Sequence, residues 1–217
     1  MKQFKKQKRV ALSQRTIHIE EYGETRDCLD QRWVEFLSEV NAIGFPLPNN
    51  GQEAHRYLDA LDPQLLILTG GNDSPEREAF EKSALEVALK KKLPVLGVCH
   101  GCQVLNTFCG GHLRDLSRDK HVARRHPIVF HKELFAYTAM STHDMNSYHL
   151  QGMQRTDIAP EFEIVATHPE DGSVEAIYAK ERKFYGIMWH PERENPISNF
   201  DLQMIHHLLE ISDDHKS

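Results

Sequence analysis

The sequence predicts a three-layer α/β/α fold with a mostly parallel central sheet and antiparallel strands appended late in the chain. Three observations lead there. The runs at residues 64–68 and 94–98 are too continuously apolar for one-sided exposure, and they alternate with segments of helical period, as in a parallel sheet covered on both faces. Each run empties into a glycine-containing turn, Thr69-Gly70-Gly71-Asn72-Asp73 after the first and Gly97 to Gly101 around the second. Three short strand-like segments at 163–167, 173–178 and 184–189 then follow one another, separated by turns such as Pro169-Glu170-Asp171-Gly172, a spacing that suits antiparallel neighbours.

Residues 9–12 read as the first strand, followed by a polar turn. Leu29, Trp33, Phe36, Leu37 and Val40 recur at helical spacing. That helix is expected to end near Gly44, with Pro46 and Pro48 barring its continuation. After the second strand, at 64–68, Asp73 or Ser74 caps a helix, Pro75 suits its first turn and Glu76 its positive end. Phe80, Ala84, Val87 and Ala88 line the inner face of this helix, and the lysines at 90–92 suit its C-terminal end. The strand at 94–98 runs through Cys99 into an apolar helix over 100–108, stopped by Gly110-Gly111. A closing helix follows Asn199, with Phe200, Met204, Ile205, Leu208 and Leu209 on its inner face.

A length of 217 residues fits one domain, 1–217, better than two. The net charge of −6 leaves no global basic field for nucleic acid. Lys2, Lys5, Lys6, Lys8 and Arg9 form a basic start, read as a frayed tail over 1–8. Val10-Ala11-Leu12 is too short for the apolar core of a signal peptide, and no run is long enough to span a membrane. A cytoplasmic protein with reduced cysteines is therefore expected.

Of the four cysteines, Cys28, Cys99, Cys102 and Cys109, three crowd together. Leu96-Gly97-Val98-Cys99-His100-Gly101-Cys102-Gln103 has the pattern G-x-C-x-G between a strand and a helix, the cysteine form of a nucleophile elbow. Glycines at both x-flanks remove Cβ atoms that would collide across so sharp a turn. A helix N-terminus and a nearby histidinium lower a thiol pKa and so supply the thiolate. The same residues also read as C-x-x-C, the spacing of a thiol oxidoreductase, or as small apolar cysteines in a packed corner. The segment Trp189-His190-Pro191-Glu192 favours the first reading. Residues two apart in extended chain point the same way, so Glu192 can fix the tautomer of His190 and leave its other nitrogen for the thiol proton.

Together, Thr69-Gly70-Gly71-Asn72-Asp73, the elbow, Gly110-Gly111-His112-Leu113-Arg114-Asp115-Leu116, Asn146-Ser147-Tyr148-His149-Leu150-Gln151, Val174-Glu175-Ala176-Ile177 and the stretch 186–192 resemble the class I glutamine amidotransferases and their relatives, the γ-glutamyl hydrolases of peptidase C26 type. The resemblance covers 65–192. It implies a flavodoxin-like topology and a catalytic triad of Cys99, His190 and Glu192. It also implies an oxyanion hole from the amides of Gly71 and His100, and substrate-binding roles for Gly70, Gln103, Asn146, Ser147 and His149. No metal and no cofactor is implied. The N-S-x-H-x-Q stretch is closer to free-standing γ-glutamyl hydrolases than to glutaminase subunits. Ser13-Gln14-Arg15, Tyr22-Gly23-Glu24-Thr25-Arg26, Leu29-Asp30-Gln31-Arg32-Trp33 and Pro46-Leu47-Pro48-Asn49 resemble the γ-glutamyl-CDP-amidate hydrolases of bacterial surface-polysaccharide clusters. That likeness implies a small-molecule γ-glutamyl substrate linked to a cytidine nucleotide, hydrolysed to glutamate and cytidine diphosphoramidate. Met188 departs from the Gln of many amidotransferases, and Cys102 fills a variable position.

His112, His121, His126 and His131 lie in a polar stretch and read as solvated or structural histidines, without the fixed spacing of a metal site. Arg124 and Arg125 in that stretch, or Arg15 and Arg26, suit a pyrophosphate. Three function classes stay open: a γ-glutamyl hydrolase, a thiol oxidoreductase and a partner-dependent glutaminase subunit. An oligomer stays open too.

Overall fold

A computed structural model describes residues 7–133 and 139–211. In chain order the elements are β1 (Lys8–Leu12), β2 (Arg15–Ile19), β3 (Glu24–Cys28), α1 (Arg32–Glu39), β4 (Ala42–Pro46), α2 (Ala54–Leu61), β5 (Leu65–Leu68), α3 (Pro75–Lys91), β6 (Val95–Val98) and α4 (His100–Phe108). The second half contributes β7 (Arg114–Asp115), α5 (Arg118–His121), β8 (Val122–Phe130), β9 (Thr142–Tyr148), β10 (Gln151–Gly152), β11 (Glu163–Thr167), β12 (Val174–Ala179), β13 (Phe184–Ile187) and α6 (Asn199–Ile211). The expected basic tail falls mostly outside the described residues, and Lys8 already belongs to β1.

Among the described residues the main sheet has the order β4-β1-β5-β6-β13-β12-β11-β8-β9. The pairings from β4 through β13 are parallel, and those from β13 through β9 antiparallel. The apolar runs are continuous because each strand feeds two cores. Val10, Leu12, Leu65, Ile67, Leu96 and Val98 face one side with Trp33 and Phe36 of α1 and Met204 and Leu208 of α6. Their alternates Ala11, Leu66, Leu68 and Val95 face the other, with Leu58 of α2, Phe80 and Ala84 of α3 and Leu105 of α4. This is the three-layer arrangement the sequence predicts.

Ser74 is the N-cap of α3, its hydroxyl accepting from the Arg77 amide at 3.2 Å, with Pro75 at the first position. Several local expectations need correcting. The first helix ends at Glu39, not near Gly44. Asn41, at φ 53°, turns the chain into β4, where Gly44 packs so closely on Leu12 and Leu37 that a Cβ would come within 2.6 Å of Leu12 Cδ1. Pro46 is tolerated because β4 is the sheet's edge. The turn expected after β1 is the β2–β3 hairpin, and α2 lies where no element is expected. The polar stretch around His121–His131 is α5 and β8. Phe200 is 41% exposed rather than inward, its ring edge-on to His143 at 5.0 Å.

The join of β6 to α4 is the tightest in the fold. A Cβ on Gly101 would overlap the Leu68 carbonyl, and one on Gly97 would come within 2.5 Å of the Gly101 carbonyl carbon. Gly101→Ala is therefore expected to lower stability by about 1–3 kcal/mol or more. Urea unfolding monitored by circular dichroism measures this, and an unchanged midpoint would contradict the packing.

Candidate active site

The two glycines force the residue between them into an unusual backbone. Cys99 has φ 51° and ψ −103°, a region that costs of order 1–3 kcal/mol for a side-chain-bearing residue and is held only by its surroundings. Its amide donates to the Ile187 carbonyl at 2.8 Å, so the β6–β13 ladder continues up to the turn. That ladder pairs Val98 with Ile187. His190, three residues beyond Ile187, is thereby delivered to Cys99 by strand register.

The His190 ring is 2% exposed, and its Nδ1–H donates to Glu192 Oε1 at 2.8 Å. Pro191–Arg193 forms a 3₁₀ turn that bends the carboxylate back to the ring. Gly70 makes room for the imidazole: a Cβ there would overlap Cε1 and lie 3.1 Å from Nδ1. Asn146 clamps the His190 backbone from both sides, its Nδ2 donating to the His190 carbonyl at 2.8 Å and its Oδ1 accepting from the His190 amide at 3.0 Å. Burial pushes the Cys99 thiol pKa up. The His190 charge and hydrogen bond, with His149 and His100 behind them, outweigh burial and bring it below the ordinary thiol value. Burial pulls His190 down, but Cys99 and Glu192 raise it to about 9. Each group thus favours the charged form of the other.

His100 follows the nucleophile candidate at the start of α4, where first-turn amides have no i−4 acceptor. Its ring is fixed by Asp73 at 2.7 Å and Glu81 at 2.9 Å. Glu81 is fully buried and also accepts from Ser13 Oγ at 2.7 Å and Arg77 Nε at 2.9 Å. Arg77 in turn donates to the carbonyls of Thr69 at 2.5 Å and Asn72 at 3.1 Å, shaping the loop that carries Gly71. Gly71 has φ +138°, open to glycine, and packs under Arg15. A cavity of about 540 Å³ begins at His100 and runs along α4, lined by Asp73, Glu78, Lys82, Gln103 and Thr107 among others. Gln103 donates to the Gln151 carbonyl at 2.6 Å on its rim.

The structure thus brings Cys99, His190, Glu192, Gly70, Gly71, His100 and Gln103 together. Asn146 is committed to the His190 backbone and Ser147 to the His121 carbonyl at 2.6 Å. His149 lies buried beside Glu175, with His121 and His126. Sequence reading missed Glu81 and Arg77, which resemble surface charges of a helix start, took Asp73 only as a cap, and gave no role to Tyr148, whose ring meets His190 edge-on at 5.7 Å. Cys102 points into the apolar layer opposite Cys99, and burial holds its thiol well above the ordinary value. That geometry speaks against a dithiol pair. Arg125 is occupied by Asp144 at 2.7 Å and Glu194 at 2.8 Å, and Arg26 by Glu24.

The Peptidase C26 family description matches residues 10–192. A γ-glutamyl-CDP-amidate hydrolase of Campylobacter jejuni is 29% identical over 203 residues, covering 89% of this chain and 94% of that one. A glutamine-hydrolysing GMP synthase component of Methanococcus maripaludis is 30% identical over 140 residues, covering 61% of this chain and 67% of that one. The fold is shared with a solved glutamine amidotransferase of Thermotoga maritima, at a TM-score of 0.62 and 16% identity over 95% of this chain and 85% of that one.

Iodoacetamide labelling of Cys99, followed by peptide mass, tests the electrostatics. Only the thiolate reacts, and a thiol at pKa ~8.5 is about 3% ionised at pH 7. The depressed Cys99 pKa means labelling should fall less between pH 9 and pH 7 than that of an ordinary thiol. His190→Ala should lose roughly 10-fold or more over the same interval. Parallel profiles for the two proteins would contradict the ion pair.

Proposed function

The chain belongs to the peptidase C26 family, and from that premise we propose that it is a cysteine hydrolase of γ-glutamyl amide bonds, with Cys99, His190 and Glu192 as its triad. The observation that carries this is the Cys99 turn itself, a strained nucleophile position at a helix N-terminus, register-locked to a histidine whose far nitrogen is held by a buried carboxylate.

The geometry supports a two-step mechanism. The Cys99 thiolate attacks the γ-carbonyl carbon, and the electron pair moves onto oxygen. The amides of His100 and Gly71 stabilise that oxyanion, each such donor being worth on the order of 10²–10³ in rate. His190, as imidazolium, protonates the departing nitrogen, and the C–N bond breaks to leave a γ-glutamyl thioester. Neutral His190 then takes a proton from water, which attacks the thioester, releases glutamate and restores the thiolate. Glu192 keeps the ring in the productive tautomer. The cavity along α4 offers Asp73, Glu78 and Lys82 to a zwitterionic head group, with Gln103 beside them.

For the leaving group we propose a cytidine diphosphoramidate, in the synthesis of a surface-polysaccharide decoration in the cytoplasm. The likeness to the Campylobacter jejuni hydrolase over nearly the full length of both chains supports this. Of the arginines suited to a pyrophosphate, Arg15 fits best, because it is exposed and lies against Gly71 at the oxyanion loop. The second reading, a glutaminase feeding ammonia to a partner synthase, is supported by the GMP synthase relative.

The isolated protein, offered glutamine, γ-glutamyl-amines and γ-glutamyl-CDP-amidate, is expected to release glutamate unaided and fastest from the nucleotide amidate. Glutamate release only with an added synthase partner would favour the second reading. Cys99→Ala should lower kcat by at least about 10³-fold with the fold intact. Arg15→Ala should raise KM for the nucleotide amidate by about 10-fold, as loss of a charged hydrogen bond does, and leave KM for γ-glutamyl-amines unchanged. Equal effects on both substrates would remove Arg15 from the nucleotide site.

A further inference from the structure

Beside the hydrolase site stands a buried cluster that donates no group to the reacting atoms, though the charge of His149 helps to lower the Cys99 thiol pKa. His121 ends α5, His126 lies on β8, His149 follows β9 and Glu175 is on β12. Their exposures are 0%, 4%, 3% and 0%. One ligand atom from each falls within 4.8 Å of all the others. Glu175 Oε1 lies 3.7 Å from His121 Nδ1, and Glu175 Oε2 lies 3.7 Å from His126 Nε2 and 3.6 Å from His149 Nε2.

We propose that His121, His126, His149 and Glu175 form a structural binding site for one divalent transition-metal ion, zinc by choice of ligands. The separations are too long for hydrogen bonds, which would draw such atoms to about 2.8–3.0 Å. Four ligands at ~2.0–2.1 Å from a tetrahedral zinc stand roughly 3.3–3.4 Å apart. The Glu175–histidine separations of 3.6–3.7 Å are near that, and the whole set, within 4.8 Å, needs only a small contraction around an ion. The inward atoms are also unpartnered. His121 Nδ1, His126 Nε2, both ring nitrogens of His149 and Glu175 Oε2 have no hydrogen-bond partner despite burial. Left so, they would each carry a desolvation penalty that a cation removes.

The outer nitrogens settle the tautomers. His121 Nε2 is 2.9 Å from Asp171 Oδ2, and His126 Nδ1 is 3.2 Å from the Lys120 carbonyl. Both partners accept, so each ring carries its hydrogen outward and turns a lone pair inward. Asp171 is itself held by the Ser173 amide at 3.1 Å and hydroxyl at 2.8 Å. A carboxylate behind a ligating histidine is the usual outer support of zinc. Glu175 and Asp171 together balance a 2+ ion. Three imidazoles and one carboxylate suit zinc or cobalt over magnesium or calcium. Reading His112, His121, His126 and His131 as one group by sequence position hid this, because folding replaces His112 and His131 with His149 and Glu175.

The test uses the full chain with Cys99→Ala, which removes the one thiolate whose charge couples to His149. The protein is stripped with a chelator and titrated with Co²⁺ followed by absorbance. The expected result is saturation at one cobalt per chain with intense bands of four-coordinate geometry, displacement by Zn²⁺, and a Tm that rises with metal concentration. X-ray absorption of the zinc form should show imidazole scattering and no sulfur. Asp171→Asn should weaken binding about 10–100-fold while circular dichroism is unchanged. No saturable uptake by this protein, or weak six-coordinate bands, would overturn the site. So would wild-type protein whose zinc has a sulfur ligand. None of these readouts depends on hydrolysis.

Discussion

The backbone-to-backbone seat of α4 on the sheet governs this molecule. Gly101 rests against the Leu68 carbonyl and Gly97 against Gly101, with no space for a Cβ at either. The chain can then leave β6 only by turning at Cys99 through a left-handed conformation. That turn places Cys99 at the end of β6, immediately before the first turn of α4. Because β6 also pairs in parallel with β13, the same packing fixes where His190 arrives. Cys99 and His190 are thus placed by sheet register, with flexible side-chain reach playing little part.

A second layer of control is polar and buried. Glu81 is a carboxylate with no solvent, satisfied by Ser13, Arg77 and His100. Burial raises its pKa, and the hydrogen bond from His100 with the charges of Arg77 and His100 bring it below the usual range. Such a network is costly if any member is lost. Through Arg77 it braces the 69–72 loop and through His100 the first turn of α4, the two sides of the proposed oxyanion hole. Asn146 does the equivalent for His190 and carries the link outward, through Glu194 at 2.6 Å, to Arg125. The preorganisation of this centre therefore rests on side chains from the end of β1, from α3 and from β9, far apart in sequence.

Much of this was legible in the residues, for reasons that explain where legibility ended. Chain-local physics showed the α4 turn, a cap at Asp73 or Ser74, the two-sided strands and the His190–Glu192 pair, since glycine, proline and periodicity act over a few positions. The β2–β3 hairpin escaped notice because it is largely exposed, with Thr16 its one buried residue, and β3 carries no apolar alternation. Strand β4 was hidden by Gly44 and Pro46, which read as helix stops yet are harmless at a sheet edge. In β8 the inward slots are His126, Ile128 and Phe130, so a buried histidine broke an otherwise visible period of two. Glu81 and Arg77 look like an ordinary i,i+4 surface pair, and only tertiary packing buries them. Ser13, noticed for its resemblance, proves to be a support of Glu81.

The central claim is that Cys99 accepts the γ-glutamyl group. Its most direct test is rapid acid quench of the protein turning over γ-glutamyl-CDP-amidate, followed by peptide mass spectrometry. A glutamyl adduct on the peptide bearing Cys99, labile to hydroxylamine and absent in Cys99→Ala, is the expected result. Turnover that proceeds with no adduct on that peptide at any quench time, or with an adduct on another cysteine, would contradict the account.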